Sequence, residues 1–118
     1  MDKKMKFERE KYDIFEKKAQ KICPNRVHVS QILRHAYSID ASCYRYIPEI
    51  VIILHSEQEA IALLKLANQL DVQLTFKAAG SSLSGQCSTD HVLIMVNDRF
   101  KGIKVLDNGL RMELEPGV

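Results

Sequence analysis

The sequence holds 118 residues with a formal net charge of +2, and 46% of them are apolar and 27% charged. That length allows one domain, or part of one, with a single modest core. A balance so close to neutrality excludes an extended nucleic-acid footprint, and no apolar run approaches the ~20 residues that cross a bilayer. Cys23, Cys43 and Cys87 are widely spaced and form no C-x-x-C. This argues against zinc, a disulfide framework or an iron–sulfur cluster built from this chain alone, and suits reduced thiols in a cytoplasmic protein.

Residues 1–19 mix Lys and Glu with a thin apolar series, Phe7, Tyr12, Phe15 and Ala19, whose spacing predicts a helix. Lys3, Lys4 and Lys6 are offset by Glu8, Glu10 and Asp13, as on a solvated helix face, and no signal-peptide core is present. Pro24 ends this helix near Ile22, because the residue before a proline avoids the α region. A second helical pattern covers 27–37, with Val29, Ile32, Leu33 and Ala36 on one side and Ser30 as a cap. Residues 38–46 have no period and read as an irregular lead-in, in which Asp40 and Ser42 satisfy local backbone donors.

Pro48 introduces Ile50, Val51, Ile52, Ile53 and Leu54, a β-branched run that suits a strand buried on both faces. Ser56 and Glu59 form a capping box ahead of a helix whose apolar face is Ala60, Leu63, Leu64, Ala67 and Leu70. A second strand over 72–76 completes a βαβ unit with a right-handed crossover. A third strand is expected over 92–96. Strands over 103–106 and 110–114 flank Asp107-Asn108-Gly109, a hairpin signal because Asn and Gly tolerate φ > 0. The sequence stops at Glu115-Pro116-Gly117-Val118 without a terminal helix, so continuation in a longer parent is expected.

Residues 76–87, F-K-A-A-G-S-S-L-S-G-Q-C, organise the chain. They have little apolar surface to bury, whereas their glycines, amides and hydroxyls suit a loop closing on an anion. Gly80 to Gly85 has the glycine spacing of a Walker A loop, but Gln86 and Cys87 replace its Lys and Ser/Thr. A Rossmann fingerprint would open a helix, and this loop leads to a strand. A solvent-exposed serine-glycine turn satisfies the composition equally well.

The order of pieces adds to this. Ile47-Pro48-Glu49-Ile50-Val51, a helix, L-T-F-K-A-A-G-S-S-L-S-G-Q, H-V-L-I-M-V, I-K-V-L and E-P-G-V together resemble the first half of a flavin domain of the vanillyl-alcohol oxidase/p-cresol methylhydroxylase (PCMH) type. The resemblance covers roughly residues 34–118 and is nearest to D-lactate dehydrogenases and glycolate oxidase FAD-binding subunits. R-H-A-Y-S-I-D-A-S-C-Y-R-Y is similar to members fused to an iron–sulfur domain. The resemblance implies an α+β fold: a helical lead-in over 1–45, then over 46–118 the first lobe of a PCMH-type FAD-binding domain, a small βαβ-containing sheet with helices packed on it.

By position, the resemblance places Lys77, Ala78, Ala79, Gly80, Ser81, Ser82, Ser84 and Gly85 along the FAD pyrophosphate. It makes Pro116 and Gly117, with Val118, a turn close to the cofactor. The family often has Arg at Lys77 and Gly-Thr at Gly80-Ser81; charge and hydroxyl survive both changes, the planar fork of Arg does not. Members with covalent flavin often carry a histidine in or near this loop, and none lies between Lys77 and Gln86, which implies non-covalent FAD. His91 reads as a strand-entry residue, and aromatic packing is the simpler role for Tyr44 and Tyr46.

In the resembling enzymes a hydride passes from a 2-hydroxy acid to the flavin. Their substrate arginines and histidine base lie in a downstream region, so no catalytic residue is assigned here, and an iron–sulfur cluster belongs to the C-terminal part of the parent. The expected partner is a small 2-hydroxy acid in that parent, in the cytoplasm or peripheral to the inner membrane face. Exposed apolar edges favour self-association of this chain. The alternative is a non-catalytic βαβ module for another phosphate-containing ligand.

Overall fold

The computed structural model describes residues 2–96 and 98–118. Met1, part of the expected first helix, lies outside them. Helix α1 (Lys3–Ile22) starts at Asp2, whose carboxylate accepts from the Lys4 amide. Its apolar stripe buries Phe15 and Ala19 completely, while Phe7 remains two-thirds exposed. The next segment departs from expectation. In place of one helix, the chain forms β1 (Val27–His28) and then α2 (Gln31–Ala36), which Ser30 caps through the Leu33 amide. Val27 pairs with Ile52, and the apolar residues at helical spacing stay outside, Ile32 at 83% exposure. A long-range strand partner overrides the local period here.

Strands β2 (Ile50–Ile53), β3 (Leu74–Lys77) and β4 (Val92–Met95), with β1, form a mixed sheet in the order β1-β2-β4-β3. β4 is parallel to both neighbours, while β1 is antiparallel to β2. The βαβ unit exists, but β4 fills the gap between its two strands. Helix α3 (Glu57–Leu70) packs Leu63, Leu66 and Ala67 into the core, and Leu64 is half exposed where burial was expected. The spacing 63, 66, 67 follows the helical period; Leu64 lies off that stripe.

The two sheet faces differ. On one, Ile50, Ile52, Val92, Ile94 and Val96 meet α1 and α3 in a core that also holds Phe15, Cys23 and Val27. Residues on both sides of the expected 45/46 boundary share this core. On the other, Val51, Leu93 and Met95 meet Tyr37 and Ile53. Chain direction explains the division. The β2-to-β3 crossover runs one way across the sheet and carries α3; the β3-to-β4 connection runs back, and a right-handed return takes the opposite face.

Strands β5 (Ile103–Leu106) and β6 (Arg111–Leu114) form the expected hairpin, with Leu106 opposite Arg111. Asp107, Asn108 and Gly109 all adopt positive φ at its tip. No helix among the described residues is long and apolar enough to cross a membrane. Strand β4 lies between β2 and β3 and is buried along its length. Ile94 has no exposed surface, so Ile94→Ala is expected to cost about 3 kcal/mol through lost burial and a residual cavity. Urea unfolding monitored by circular dichroism measures this, and a loss below about 1 kcal/mol would contradict the packing.

Candidate phosphate-binding site

Because β2, β3 and β4 are parallel, their carboxyl ends lie at one edge of the sheet. Open parallel sheets bind ligands just beyond that edge. His55 and Ser56 follow β2, the glycine loop follows β3, and Arg99 and Phe100 follow β4.

The loop, residues 78–91, joins two parallel neighbours and contains no helix. Gly80 and Gly85 stand at φ +75 and +81, as their sequence context predicts. Each also lets another part of the chain approach. A Cβ at Gly80 would come within 2.9 Å of Lys77 Cε, and one at Gly85 within 2.9 Å of Tyr44 Cδ2. The missing side chains therefore make room for the Lys77 stem at Gly80 and for Tyr44 at Gly85, a role the sequence does not reveal.

Four ties hold segment 37–46 against the loop. The Ala41 amide donates to Gly80 O at 2.8 Å, and the Tyr46 amide to Ser88 Oγ at 3.2 Å. The Tyr44 ring lies over Gly85. The fourth tie corrects an expectation. Lys77 was expected to offer an exposed charge to a phosphate, but it is only 6% exposed. Its Nζ donates to Tyr37 O at 2.9 Å and to Ile39 O at 2.5 Å. Burial lowers its pKa, and the nearby Asp40 carboxylate opposes that shift. Asp40 Oδ1 accepts from the amide and hydroxyl of Ser42, as expected, which holds its carboxyl below the ordinary range.

What remains free in the loop suits an anion. The amides of Ser81, Ser82, Leu83 and Gly85 donate to no acceptor among the described residues, and none is in a sheet ladder. The Ser84 amide is held by Gln86 Oε1 at 3.2 Å. Ser81 and Ser84 are exposed, whereas Ser82 Oγ is paired with Cys87 Sγ at 3.1 Å. Ala78 packs on the main core and Ala79 is exposed. Free amides and hydroxyls around two left-handed glycines fit a diphosphate without a charged side chain.

Pro116 and Gly117 sit elsewhere along the carboxyl edge. Pro116 lines a cavity of about 430 Å³ with His55, Ser56 and Phe100, and the Gly117 amide donates to Phe100 O at 2.7 Å. A larger cavity of about 540 Å³, beside Arg9, Tyr12, Arg34 and Glu49, shares no residue with the loop. His91 is the strand-entry residue expected: its carbonyl accepts from the Glu49 amide at 2.8 Å, and its Nδ1 pairs with the Tyr12 hydroxyl. Burial, foremost, raises the pKa of Tyr12 to about 12.

A family model described as FAD binding domain matches residues 48–118, more than half of the chain. The chain belongs to the FAD-binding domain family. This FAD-binding domain is similar in fold to p-cresol methylhydroxylase with substrate bound (TM-score 0.73, 13% identity, covering 92% of this chain and 22% of that one). It is also similar to alkyldihydroxyacetonephosphate synthase (TM-score 0.67, 18% identity, 81% and 22% covered). Physcomitrella patens BBE-like 1 is a third (TM-score 0.61, 17% identity, 75% and 20% covered). The FAD-binding domain described here spans about a fifth of the length of these structures. Among curated proteins, none matches the chain. The family supports the expected PCMH-type α+β fold and the expected cofactor, FAD.

Proposed function

We propose that the chain is the FAD-binding portion of a flavin-dependent dehydrogenase acting on D-lactate or a related 2-hydroxy acid. The observation that carries this is the loop after β3, where amides outside any ladder and two exposed serines surround glycines at positive φ. When bound, FAD supplies the redox chemistry, accepting a hydride from the substrate carbon. This chain's part is binding and orientation. The Ser81 and Ser84 hydroxyls, with the amides of Ser81, Ser82, Leu83 and Gly85, would hold the pyrophosphate, and the exposed Ala79 would keep the approach free of bulk. Pro116 and Gly117 form the second contact, at the carboxyl end of β2. With no histidine between Lys77 and Gln86 to bond to the flavin, the cofactor dissociates on denaturation.

The substrate-binding arginines, the base and an iron–sulfur cluster belong, in this proposal, to other parts of a longer protein that is cytoplasmic or lies on the inner membrane face. The 2-hydroxy acid rests on the sequence resemblance to D-lactate dehydrogenases. The exposed apolar face of the hairpin, Ile103, Val105, Met112 and Leu114, supports self-association of the isolated chain, which sedimentation at rising concentration tests. Function is tested by offering FAD to the folded longer protein. The expected result is a yellow protein that releases FAD on denaturation and reduces a dye with D-lactate. A folded, colourless protein that binds ADP but not FAD favours the non-catalytic phosphate module instead.

A further inference from the structure

We infer that segment 37–46, which lies outside the matched domain, is a positioning wall for the glycine loop, and that Lys77 is the bolt that holds it in place. The inference rests on reading the loop as the phosphate site. An irregular segment and a glycine-rich loop each lose much conformational entropy on becoming ordered. Neither has regular secondary structure to offset that cost, so cross-ties must supply it. The Lys77 ammonium joins two carbonyls of segment 37–46 to the carboxyl end of β3. The Lys77 carbonyl in turn accepts from the Val96 amide at 2.9 Å, which fixes the bolt's root to β4.

The geometry around the bolt is specific. Lys77 Cε passes so close to Gly80 that a Cβ there would stand 2.9 Å away, with Asp40 Cβ at 3.6 Å. Loop, lysine stem and Asp40 therefore form one contact unit. Asp40 Oδ2 is buried and has no hydrogen-bond partner among the described residues, and the nearby Lys77 charge adds to the Ser42 hydrogen bonds in favouring the carboxylate. At the far end of the loop, Tyr44 and Ser88 repeat the arrangement without charge. The wall grips the loop at both ends, at Gly80 and at Gly85 and Ser88, and so fixes the spacing of the amides between them before binding, which lowers the ordering cost of association.

The test uses the full chain. Hydrogen exchange at the bonded amides of Ala41, Tyr46 and Ser88 reports the order of wall and loop, and quenching of flavin fluorescence reports FAD affinity. Lys77→Met keeps the stem and removes the donors. It is expected to speed exchange at those three amides while 50–53 and 92–95 stay protected, and to weaken FAD binding about tenfold, as when a charge-assisted network is removed. Lys77→Arg, which keeps charge and donors, is expected to restore most of both. Unchanged exchange in the Met variant, or an Arg variant no better than Met, overturns the bolt. If the Met variant does not fold, Tyr44→Ala at a half-exposed position takes its place. It is expected to loosen 84–88 and weaken FAD binding, and unchanged exchange there overturns the wall. A wild-type chain that binds no FAD removes the phosphate reading, and the exchange data alone then decide the wall.

Discussion

Gly80→Val is expected to abolish FAD binding and to lower stability by about 2–4 kcal/mol. Two costs combine. A β-branched residue at φ +75 sits in a region that side chains rarely adopt. Its Cβ would also meet Lys77 Cε at 2.9 Å, and Asp40 Cα stands at 3.7 Å. The lysine cannot simply swing away, because its Nζ is held by the carbonyls of Tyr37 and Ile39. Relief therefore requires either breaking the bolt or moving the loop, and both displace the amides at residues 81–85. Gly80→Ala should show the same direction at smaller size, about 1–2 kcal/mol, since it adds only the Cβ. Gly85→Val shares the positive φ, but its obstacle is the half-exposed Tyr44 ring, which has room to turn. Its stability loss should be the smaller of the two. Urea unfolding and FAD titration of the three variants give the ranking, and a Gly80→Val chain with wild-type FAD affinity would remove the loop from the site.

Much of this architecture is legible in the sequence because local chemistry and tertiary demand agree. The β-branched run at Ile50 to Ile53 and the apolar run at Val92 to Met95 become the two central strands, which are buried on both faces. Ser56 and Asn108-Gly109 mark a helix start and a hairpin tip by rules that need no partner. The misreadings occur where a distant partner decides. Val27 belongs to a strand because Ile52 lies opposite, and nothing within 27–37 announces that. The Glu59 carboxylate completes the cap one residue earlier than the capping-box pattern specifies, at the His55 amide, where Arg26 also holds it.

The site was harder to read for a related reason. Strand alternation around β3 places Lys77 inside at 6% exposure and Phe76 outside at 39%, against the polarity of both side chains. Only the carbonyls of Tyr37 and Ile39 make a buried ammonium tolerable, and they come from a segment some 40 residues earlier with no period of its own. The glycines were found by composition, yet their neighbours were not. The Tyr44 and Tyr46 pair, two residues apart in an otherwise polar stretch, was the available signal that this segment runs beside the loop.

Arg26→Ala is expected to cost about 2–3 kcal/mol at neutral pH, with an acid signature that identifies its cause. Arg26 Nη1 donates to Glu59 Oε2 at 2.7 Å and to Ile53 O at 2.9 Å, so one guanidinium ties the end of β2 to the first turn of α3. Both side chains are largely shielded, at 17% and 18% exposure, which limits screening by solvent. The Arg26 hydrogen bond lowers the Glu59 pKa from 4.5 to about 2, against an opposing effect of burial. A carboxylate with a depressed folded pKa binds fewer protons folded than unfolded, so its contribution is complete above about pH 4.5 and is lost as pH falls towards 2. Glu59→Gln removes that titration. Wild type should therefore exceed Glu59→Gln in stability at pH 7, and the gap should close between pH 4.5 and 2. Thermal midpoints at a series of pH values measure it, and a gap independent of pH would mean that the pair is held by packing alone. Because His55 and Ser56 at this junction also line the cavity of Pro116, loosening it should displace the proposed second FAD contact while leaving the loop after β3 in place. Arg26→Ala is accordingly expected to reduce FAD affinity less than Gly80→Val does.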